Sequence, residues 1–164
     1  MRIFEDTAPR AVRHEPLRGA VLGASGSVGM QTLDVCRHFP QKVEVAALAV
    51  RSSVECAVKA AAEFNCKYVA FADVSVKGNA LLDSLPQGCK ASFGPEAVQA
   101  LAELDEVDCV VNAVVGEAGI YAGLAAVKAG KVLAYANKES IVVGGDLLMP
   151  LVKPGQLIPV DSEH

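Results

Sequence analysis

Short apolar runs alternate along the chain with stretches in which apolar residues recur at helical spacing. The apolar runs predict β-strands, and the amphipathic stretches predict α-helices. The predicted strands are Ala20–Leu22, Val43–Val50, Tyr68–Ala72, Cys109–Val115 and Val132–Ala136, with shorter extended pieces at Lys90–Phe93 and Gln156–Val160. The predicted helices are Ser27–Phe39, a helix that follows Ser52 and Ser53 and runs to about Phe64, a segment that carries Leu81 and Leu82, one that opens at Gly94 and Pro95, Tyr121–Ala129 and Ile141–Leu151.

Residues typical of helix ends support this division. Ser52 and Ser53 are candidate N-caps of the second helix, and either Asp73 or Ser75 could cap the segment with Leu81 and Leu82. Gly130 suits a left-handed C-terminal cap. Strands that are separated repeatedly by helices predict an α/β fold, here a Rossmann-like doubly wound, mostly parallel sheet with helices on both faces.

The first predicted strand runs directly into three glycines, Gly23, Gly26 and Gly29, at a G-x-x-G-x-x-G spacing. In such a strand–turn–helix, one glycine permits unusual backbone angles, one lets a phosphate approach the main chain, and one lets the helix pack closely. The first helical amides and the helix dipole favour an anion there, and Ser25 and Ser27 add hydroxyl donors. The pattern is a variant of the dinucleotide fingerprint. The alternative is a glycine-rich turn without a ligand.

Composition narrows the class of protein. A chain of 164 residues with 52% hydrophobic residues is long enough for one domain around a buried sheet. The net charge of -4 and the lack of a basic cluster argue against nucleic-acid binding. No apolar run reaches membrane-spanning length.

Five cysteines without a C-x-x-C pattern indicate reduced thiols and a cytoplasmic location. Residues 1–17 are polar and charged without an apolar core, and they are expected to be a mobile N-terminal extension rather than a signal. Residues 18–164 would then form the nucleotide-binding domain.

The end of the second strand bears on the choice of cofactor. NAD-binding proteins usually place an acid there for the ribose 2′-hydroxyl, whereas this strand ends in Arg51, Ser52 and Ser53. A guanidinium group and serines at a helix N-terminus suit a 2′-phosphate, which favours NADP over NAD. An ordinary arginine followed by helix caps is the alternative.

Two further stretches are candidate sites. Lys138 lies in the first turn of a predicted helix, where its charge is unfavourable next to the positive end of the helix dipole. A bound anion nearby would offset this repulsion. Glu139, with the helix capping that it provides, could offset it without a ligand. Asp161 and Glu163 would point to the same side of an extended segment and offer hard oxygen ligands to Mg²⁺ or Mn²⁺. A solvated acidic tail is the alternative for these two residues.

Taken together, three motifs resemble the N-terminal NADPH-binding domain of the 1-deoxy-D-xylulose 5-phosphate reductoisomerase family. They are the glycine turn with the following Gln31–Val35, the segment Ala136–Ser140, and the segment Pro159–His164. The resemblance extends from about Arg18 to His164. It implies that the family's catalytic and C-terminal domains are absent from this chain.

The resemblance also implies an activity. The family rearranges 1-deoxy-D-xylulose 5-phosphate and reduces the product with NADPH to 2-C-methyl-D-erythritol 4-phosphate, in non-mevalonate isoprenoid biosynthesis, with Mn²⁺, Mg²⁺ or Co²⁺. A small phosphosugar substrate, a cytoplasmic homodimer of the full-length protein, and no nucleic-acid or membrane partner are expected.

The family's site residues carry over by position. They are Gly23, Ser25, Gly26, Ser27 and Val28 for the diphosphate, Arg51, Ser52 and Ser53 for the adenosine ribose, Asn137 and Glu139 for the nicotinamide side, Lys138, Ser162 and Glu163 for the substrate, and Asp161 and Glu163 for the metal.

One departure affects this transfer, because many members have glycine, a basic residue and asparagine where this chain has Arg51, Ser52 and Ser53. The remaining family ligands would lie beyond His164, so the chain alone is expected to bind NADPH without turnover. A semialdehyde dehydrogenase-like domain and a non-catalytic NADP-sensing module are the alternatives.

Overall fold

A single parallel sheet organises the molecule. The structure is a computed structural model that describes residues 15–136 and 138–160, and at residues 139 and 140 it describes only the backbone. All six strand pairings are parallel, and the sheet order is β4–β3–β2–β1–β5–β6–β7. The strands are β1 (Leu17–Leu22), β2 (Val43–Val50), β3 (Tyr68–Phe71), β4 (Lys90–Phe93), β5 (Cys109–Asn112), β6 (Val132–Tyr135) and β7 (Leu157–Pro159). The predicted fold class is confirmed.

β1 lies in the middle of the sheet, and the chain changes direction there. β2, β3 and β4 are added on one side of β1, and β5, β6 and β7 on the other. Leu22 pairs with Ala49 of β2 and with Asn112 of β5, while Asn112 pairs with Tyr135 of β6. The carboxyl ends of these strands are therefore level, and the crevice at the direction change is where such folds bind ligands.

Helices cover both faces of the sheet. They are α1 (Ser27–His38), α2 (Val54–Phe64), α3 (Pro95–Leu101), α4 (Glu117–Lys128) and α5 (Lys138–Leu148). Consecutive strand residues face opposite sides: Val21 packs with Leu33 of α1, whereas Leu22 packs in the cluster that contains Ala126 of α4. Two apolar cores result, and because both faces of the strands are buried, the strands read as continuous apolar runs.

The segment after β3 differs from its prediction. Instead of one helix with Leu81 and Leu82, the chain forms two short 3-10 helices, Val74–Gly78 and Ala80–Ser84. Asp73 caps the first by accepting from Ser75 N at 2.9 Å, and Asn79 caps the second by accepting from Leu81 N at 2.9 Å. The second cap interrupts the segment, so no continuous helix forms.

Several predicted boundaries were also wrong. β5 ends at Asn112 rather than Val115, and α4 begins at Glu117, so Gly119 lies inside the helix. α5 begins at Lys138 rather than Ile141 and ends at Leu148, before a 3-10 turn at Met149–Leu151 that contains a proline. Gly130, at φ +76°, follows α4 in the left-handed conformation that was expected.

No helix in the part of the chain that the structure describes is long and apolar enough to cross a membrane. All five cysteines are free thiols. Most of the predicted N-terminal extension, residues 1–14, lies outside the described residues, and β1 begins at Leu17.

Candidate functional site

The glycine turn between β1 and α1 lies at the centre of the carboxyl edge, and two of its glycines are required by the protein itself. Gly23 has φ +83°, and a Cβ atom on it would lie 2.6 Å from the carbonyl oxygen of Ala113. A Cβ atom on Gly29 would overlap the carbonyl oxygen of Gly23. Gly23 therefore allows the turn to approach the chain after β5, and Gly29 allows α1 to pack on the turn.

Gly26 differs from these two glycines. Its backbone angles, φ -80° and ψ 173°, are open to any residue, and a Cβ atom on it would lie 3.5 Å from the nearest atom, the Gly23 oxygen, which is an ordinary contact. The residue is exposed at the N-terminus of α1. Nothing in the described protein requires a glycine here, so the space in front of Gly26 is the feature to explain.

The turn leaves several main-chain donors open. The N–H groups of Gly23 and Ala24 both donate to Ala49 O, and Gly26 N donates to Gly23 O. Among the described residues, no protein acceptor takes the N–H of Ser25, Ser27 or Val28. α1 has no side-chain cap and no acidic residue in its first turn, so its N-terminus keeps its positive potential for an anion.

Arg51, Ser52 and Ser53 follow β2 on one side of this turn, and all three are exposed. Ser53 occupies the N-cap position of α2, but its side chain makes no cap hydrogen bond. Ser53 is thus the N-cap residue by position, as expected, but without the expected side-chain hydrogen bond. The main-chain carbonyls of Ser52 and Ser53 accept from Val54 N and Ala57 N at the start of the helix.

An acidic side chain lies near Arg51, at the end of the next strand. Asp73 N donates to Arg51 O at 2.9 Å. Hydrogen bonds from Ser75 lower the pKa of the Asp73 carboxyl, and the charge of Arg51 lowers that pKa further. The tip of β2 itself carries no acid, but the Asp73 carboxylate at the end of β3 interacts with the charge of Arg51.

Among the residues predicted for the nicotinamide side, the substrate and the metal, only Lys138 is described with its side chain. It is the first residue of α5, close to the end of β6, and it is exposed. Asn137, the side chain of Glu139, and all of Asp161, Ser162 and Glu163 lie outside the described residues. Within residues 15–136 and 138–160, no group of three His, Cys, Asp or Glu side chains is arranged to hold a metal ion.

Sequence reasoning missed Asn112, the last residue of β5. Its side chain is buried, and it hydrogen-bonds to the chain that follows the strand. A single amide at the carboxyl end of the apolar run Cys109–Asn112 was the available signal. Buried polar side chains of this kind generally hold backbone in place.

The described residues thus combine an open anion site at the turn with a cation on one flank, at the edge where parallel sheets bind ligands. This arrangement suits a phosphorylated dinucleotide.

A family model described as "1-deoxy-D-xylulose 5-phosphate reductoisomerase" matches residues 20–145. Curated proteins of that name are similar: one from Photorhabdus laumondii is 43% identical over 152 residues, and one from Mycobacterium marinum is 42% identical over 149 residues. Each match includes 90% of this chain but only 38% and 35% of the respective relative. The chain therefore spans little more than a third of the length of these relatives.

Solved structures give the same result. The reductoisomerase from Zymomonas mobilis in complex with NADPH is 38% identical with a TM-score of 0.82, over 91% of this chain and 40% of that one. A reductoisomerase in complex with magnesium is 34% identical with a TM-score of 0.81, over 90% and 38% of the two chains. A biliverdin reductase, 17% identical with a TM-score of 0.60, shares the fold alone.

Proposed function

The chain belongs to the 1-deoxy-D-xylulose 5-phosphate reductoisomerase family, and on that premise we propose that it is the NADPH-binding part of such an enzyme. Residues 18–164 would form this domain. The open space at Gly26, together with the unpaired amides around it, is the observation that carries the proposal. Membership of this family excludes the alternative of a semialdehyde dehydrogenase-like domain.

The diphosphate of NADPH would lie on the glycine turn. The N–H groups of Ser25, Ser27 and Val28 would donate to its oxygens, and the missing side chain of Gly26 would let it approach. Gly23 would shape the turn rather than contact the ligand. The first turn of α1 would supply its dipole to the same negative charge.

The 2′-phosphate would lie beside Arg51, with the hydroxyls of Ser52 and Ser53 as further donors. A guanidinium group offers planar donors that match a phosphate, and a charge-assisted pair of this kind is stronger than a neutral hydrogen bond. An acid at the tip of β2 would repel a 2′-phosphate, and none is present there. This charge arrangement favours NADPH over NADH.

The rest of the site is assigned by resemblance. Asn137 and Glu139 would hold the nicotinamide side, Lys138 and Ser162 would contact the phosphosugar, and Asp161 and Glu163 would ligate a divalent metal, with Glu163 also next to the substrate. Their carboxylates are the hard oxygen donors that Mg²⁺ and Mn²⁺ prefer. When bound, such a cation (Mn²⁺, Mg²⁺ or Co²⁺) would polarise a substrate carbonyl.

For the full-length protein we propose the family reaction, the NADPH-dependent rearrangement and reduction of 1-deoxy-D-xylulose 5-phosphate to 2-C-methyl-D-erythritol 4-phosphate. A homodimer of the full-length protein is proposed from the resemblance alone. A cytoplasmic location is supported by the free thiols. This chain alone should be inactive, because it corresponds to little more than a third of the related enzymes.

Two measurements test this function. Calorimetric titration of the chain should show NADPH binding and at least about tenfold weaker NADH binding, since one charge-assisted phosphate contact is lost. No NADPH binding, or a preference for NADH, would contradict the cofactor assignment. NADPH oxidation that depends on 1-deoxy-D-xylulose 5-phosphate should require the full-length protein. NADPH binding by that protein without any turnover would instead favour the sensing role.

A further inference from the structure

Asn112 is a buried polar residue in the middle of the carboxyl edge. Its side chain is only 4% exposed, and the residue pairs with Leu22 of β1 and Tyr135 of β6. Burial of an amide without hydrogen bonds would destabilise the fold, so a buried asparagine is expected to have specific partners.

Both ends of the Asn112 amide have main-chain partners. Nδ2 donates to the carbonyl oxygen of Gly119 at 2.7 Å, and Oδ1 accepts from Val114 N at 3.3 Å. The donor faces a carbonyl and the acceptor faces an N–H group, which fixes the orientation of the amide. The side chain therefore ties the end of β5 to the first turn of α4, across residues 113–116, which we call the β5–α4 loop.

The β5–α4 loop joins the end of β5 to the start of α4. α4 begins after Gly116 without a side-chain cap. On its other side the loop lies against the glycine turn: Ala113 N donates to Leu22 O at 2.9 Å, and the Ala113 oxygen occupies the space that a side chain on Gly23 would need. Asn112 thus fixes the loop at the point where it borders the proposed diphosphate site.

The sheet order decides which half of the cofactor this loop borders. Arg51 follows β2 on one side of the turn, and the β5–α4 loop follows β5 on the other. A dinucleotide with its diphosphate on the turn and its 2′-phosphate at Arg51 must extend its nicotinamide half toward the loop. This step rests on the proposed function.

We propose that Asn112 is a positioning residue for the nicotinamide half of NADPH, acting through the β5–α4 loop. It does not contact the cofactor itself. Loss of its amide removes the side-chain hydrogen bonds to Val114 N and Gly119 O, and the loop then adopts several positions. Binding of the nicotinamide half weakens, while binding of the adenosine half is retained.

The test compares two ligands by calorimetry: NADPH, and adenosine 2′,5′-bisphosphate, which lacks the nicotinamide half. Asn112→Leu removes both hydrogen bonds and keeps the branched shape of the side chain, and Asn112→Ser is a smaller second variant. Gln156→Leu is the matched control, because Gln156 is also a buried amide whose side chain hydrogen-bonds to main-chain groups, namely Val127 O, Lys131 O and Lys153 N. Gln156 precedes β7 and therefore lies at the amino edge of the sheet, away from the proposed site.

The Asn112 variants should raise the Kd for NADPH by about three- to tenfold, which corresponds to the free energy of one or two hydrogen bonds. The Kd for the bisphosphate should stay within about twofold of the wild-type value. Gln156→Leu should lower the melting temperature without changing the ratio of the two constants. Equal shifts for both ligands in a folded Asn112 variant, or an unchanged ratio, would overturn the proposal.

Hydrogen exchange separates this inference from the proposed function. The amides of residues 113–119 should exchange faster in whichever Asn112 variant folds, and not in Gln156→Leu. Unchanged exchange there would overturn the inference even if NADPH binds. If the wild-type chain binds neither ligand, the proposed function fails, and so does the cofactor role of Asn112. If neither Asn112 variant folds, its role is structural and the proposal is also overturned.

Discussion

The carbonyl oxygen of Gly23 occupies the position that a side chain on Gly29 would need, so α1 lies directly against the turn that precedes it. This contact brings the first amides of α1 to the carboxyl edge of β1, where the N–H groups of Ser27 and Val28 remain open. Close packing and the anion site are therefore two results of one arrangement.

Alanine substitutions at Gly29 and at Gly26 should differ in their effects on stability and on NADPH binding. Gly29→Ala should lower the free energy of unfolding by about 1–3 kcal/mol, because the new methyl group must displace backbone. Gly26→Ala should cost at most about 1 kcal/mol, the loss of a favourable N-cap residue. Gly26→Ala should nevertheless weaken NADPH binding by about tenfold or more, since the methyl group enters the space of a charge-assisted phosphate contact.

Urea unfolding and calorimetric titration of both variants check this contrast. A Gly26→Ala variant that binds NADPH as the wild type does would place the diphosphate elsewhere. A Gly29→Ala variant of wild-type stability would contradict the packing described for α1.

Arg51 should determine the preference for the phosphorylated cofactor. Arg51→Ala should raise the Kd for NADPH by about tenfold, which corresponds to one lost charge-assisted interaction, and should leave NADH binding nearly unchanged. Lys128→Ala is the control, because it removes the same charge from an exposed residue at the C-terminal end of α4, away from the carboxyl edge. Titration of both nucleotides against the three proteins measures the ratio. A similar loss in both variants would point to net charge rather than to a local contact.

Acid should destabilise the fold through carboxyl groups whose pKa values are held low. Hydrogen bonding and charge from Arg37 lower the pKa of Glu63, and Lys59 lowers the pKa of Glu55 in the same way. The hydroxyl of Tyr68 lowers the pKa of Glu106. A carboxyl group with a lower pKa in the folded state stabilises the protein above its unfolded-state pKa, and that contribution is lost as the pH falls through the folded-state value.

Stability should therefore be constant near neutral pH and fall below about pH 4.5. Glu63→Gln removes the pair that joins α1 to α2, in which Arg37 Nη2 lies 2.9 Å from Glu63 Oε2, and should reduce this dependence. Glu103→Gln, an exposed change between α3 and β5, should leave it as in the wild type. Urea unfolding at several pH values gives the slopes. Equal slopes for all three proteins would contradict the assignment to Glu63.

The thiols should react in the order of their burial. Burial raises the pKa of Cys66 to about 12, with smaller contributions from nearby charges, so almost no thiolate forms at neutral pH. Cys56 is partly exposed on α2. Iodoacetamide at about pH 8 should label Cys56 more than about tenfold faster than Cys66 in the folded chain, and both at similar rates in denaturant. Peptide mass spectrometry measures the two rates, and equal labelling in the folded chain would contradict the buried position of Cys66.

Much of the fold follows from local sequence. Apolar runs such as Val43–Val50 are typical of strands that are buried on both faces in a parallel sheet, and helices lie between them. The spacing of Gly23, Gly26 and Gly29 indicated the turn, and Arg51 at a strand tip that itself carries no acid indicated a cation on its flank. These features depend on residues that are neighbours in the chain, and so the pattern alone was sufficient.

Only the tertiary structure decided what depends on residues far apart in the chain. Gly23 is constrained by Ala113, ninety residues later, which no local pattern contains. Asn112 lay inside the predicted strand Cys109–Val115, but its burial between β1 and β6 makes its two hydrogen bonds important for the loop that follows. The sequence determined the elements and the chemistry available at their ends. The packing of distant segments determined which glycines the fold requires, which one leaves space for a ligand, and which amide holds the loop beside it.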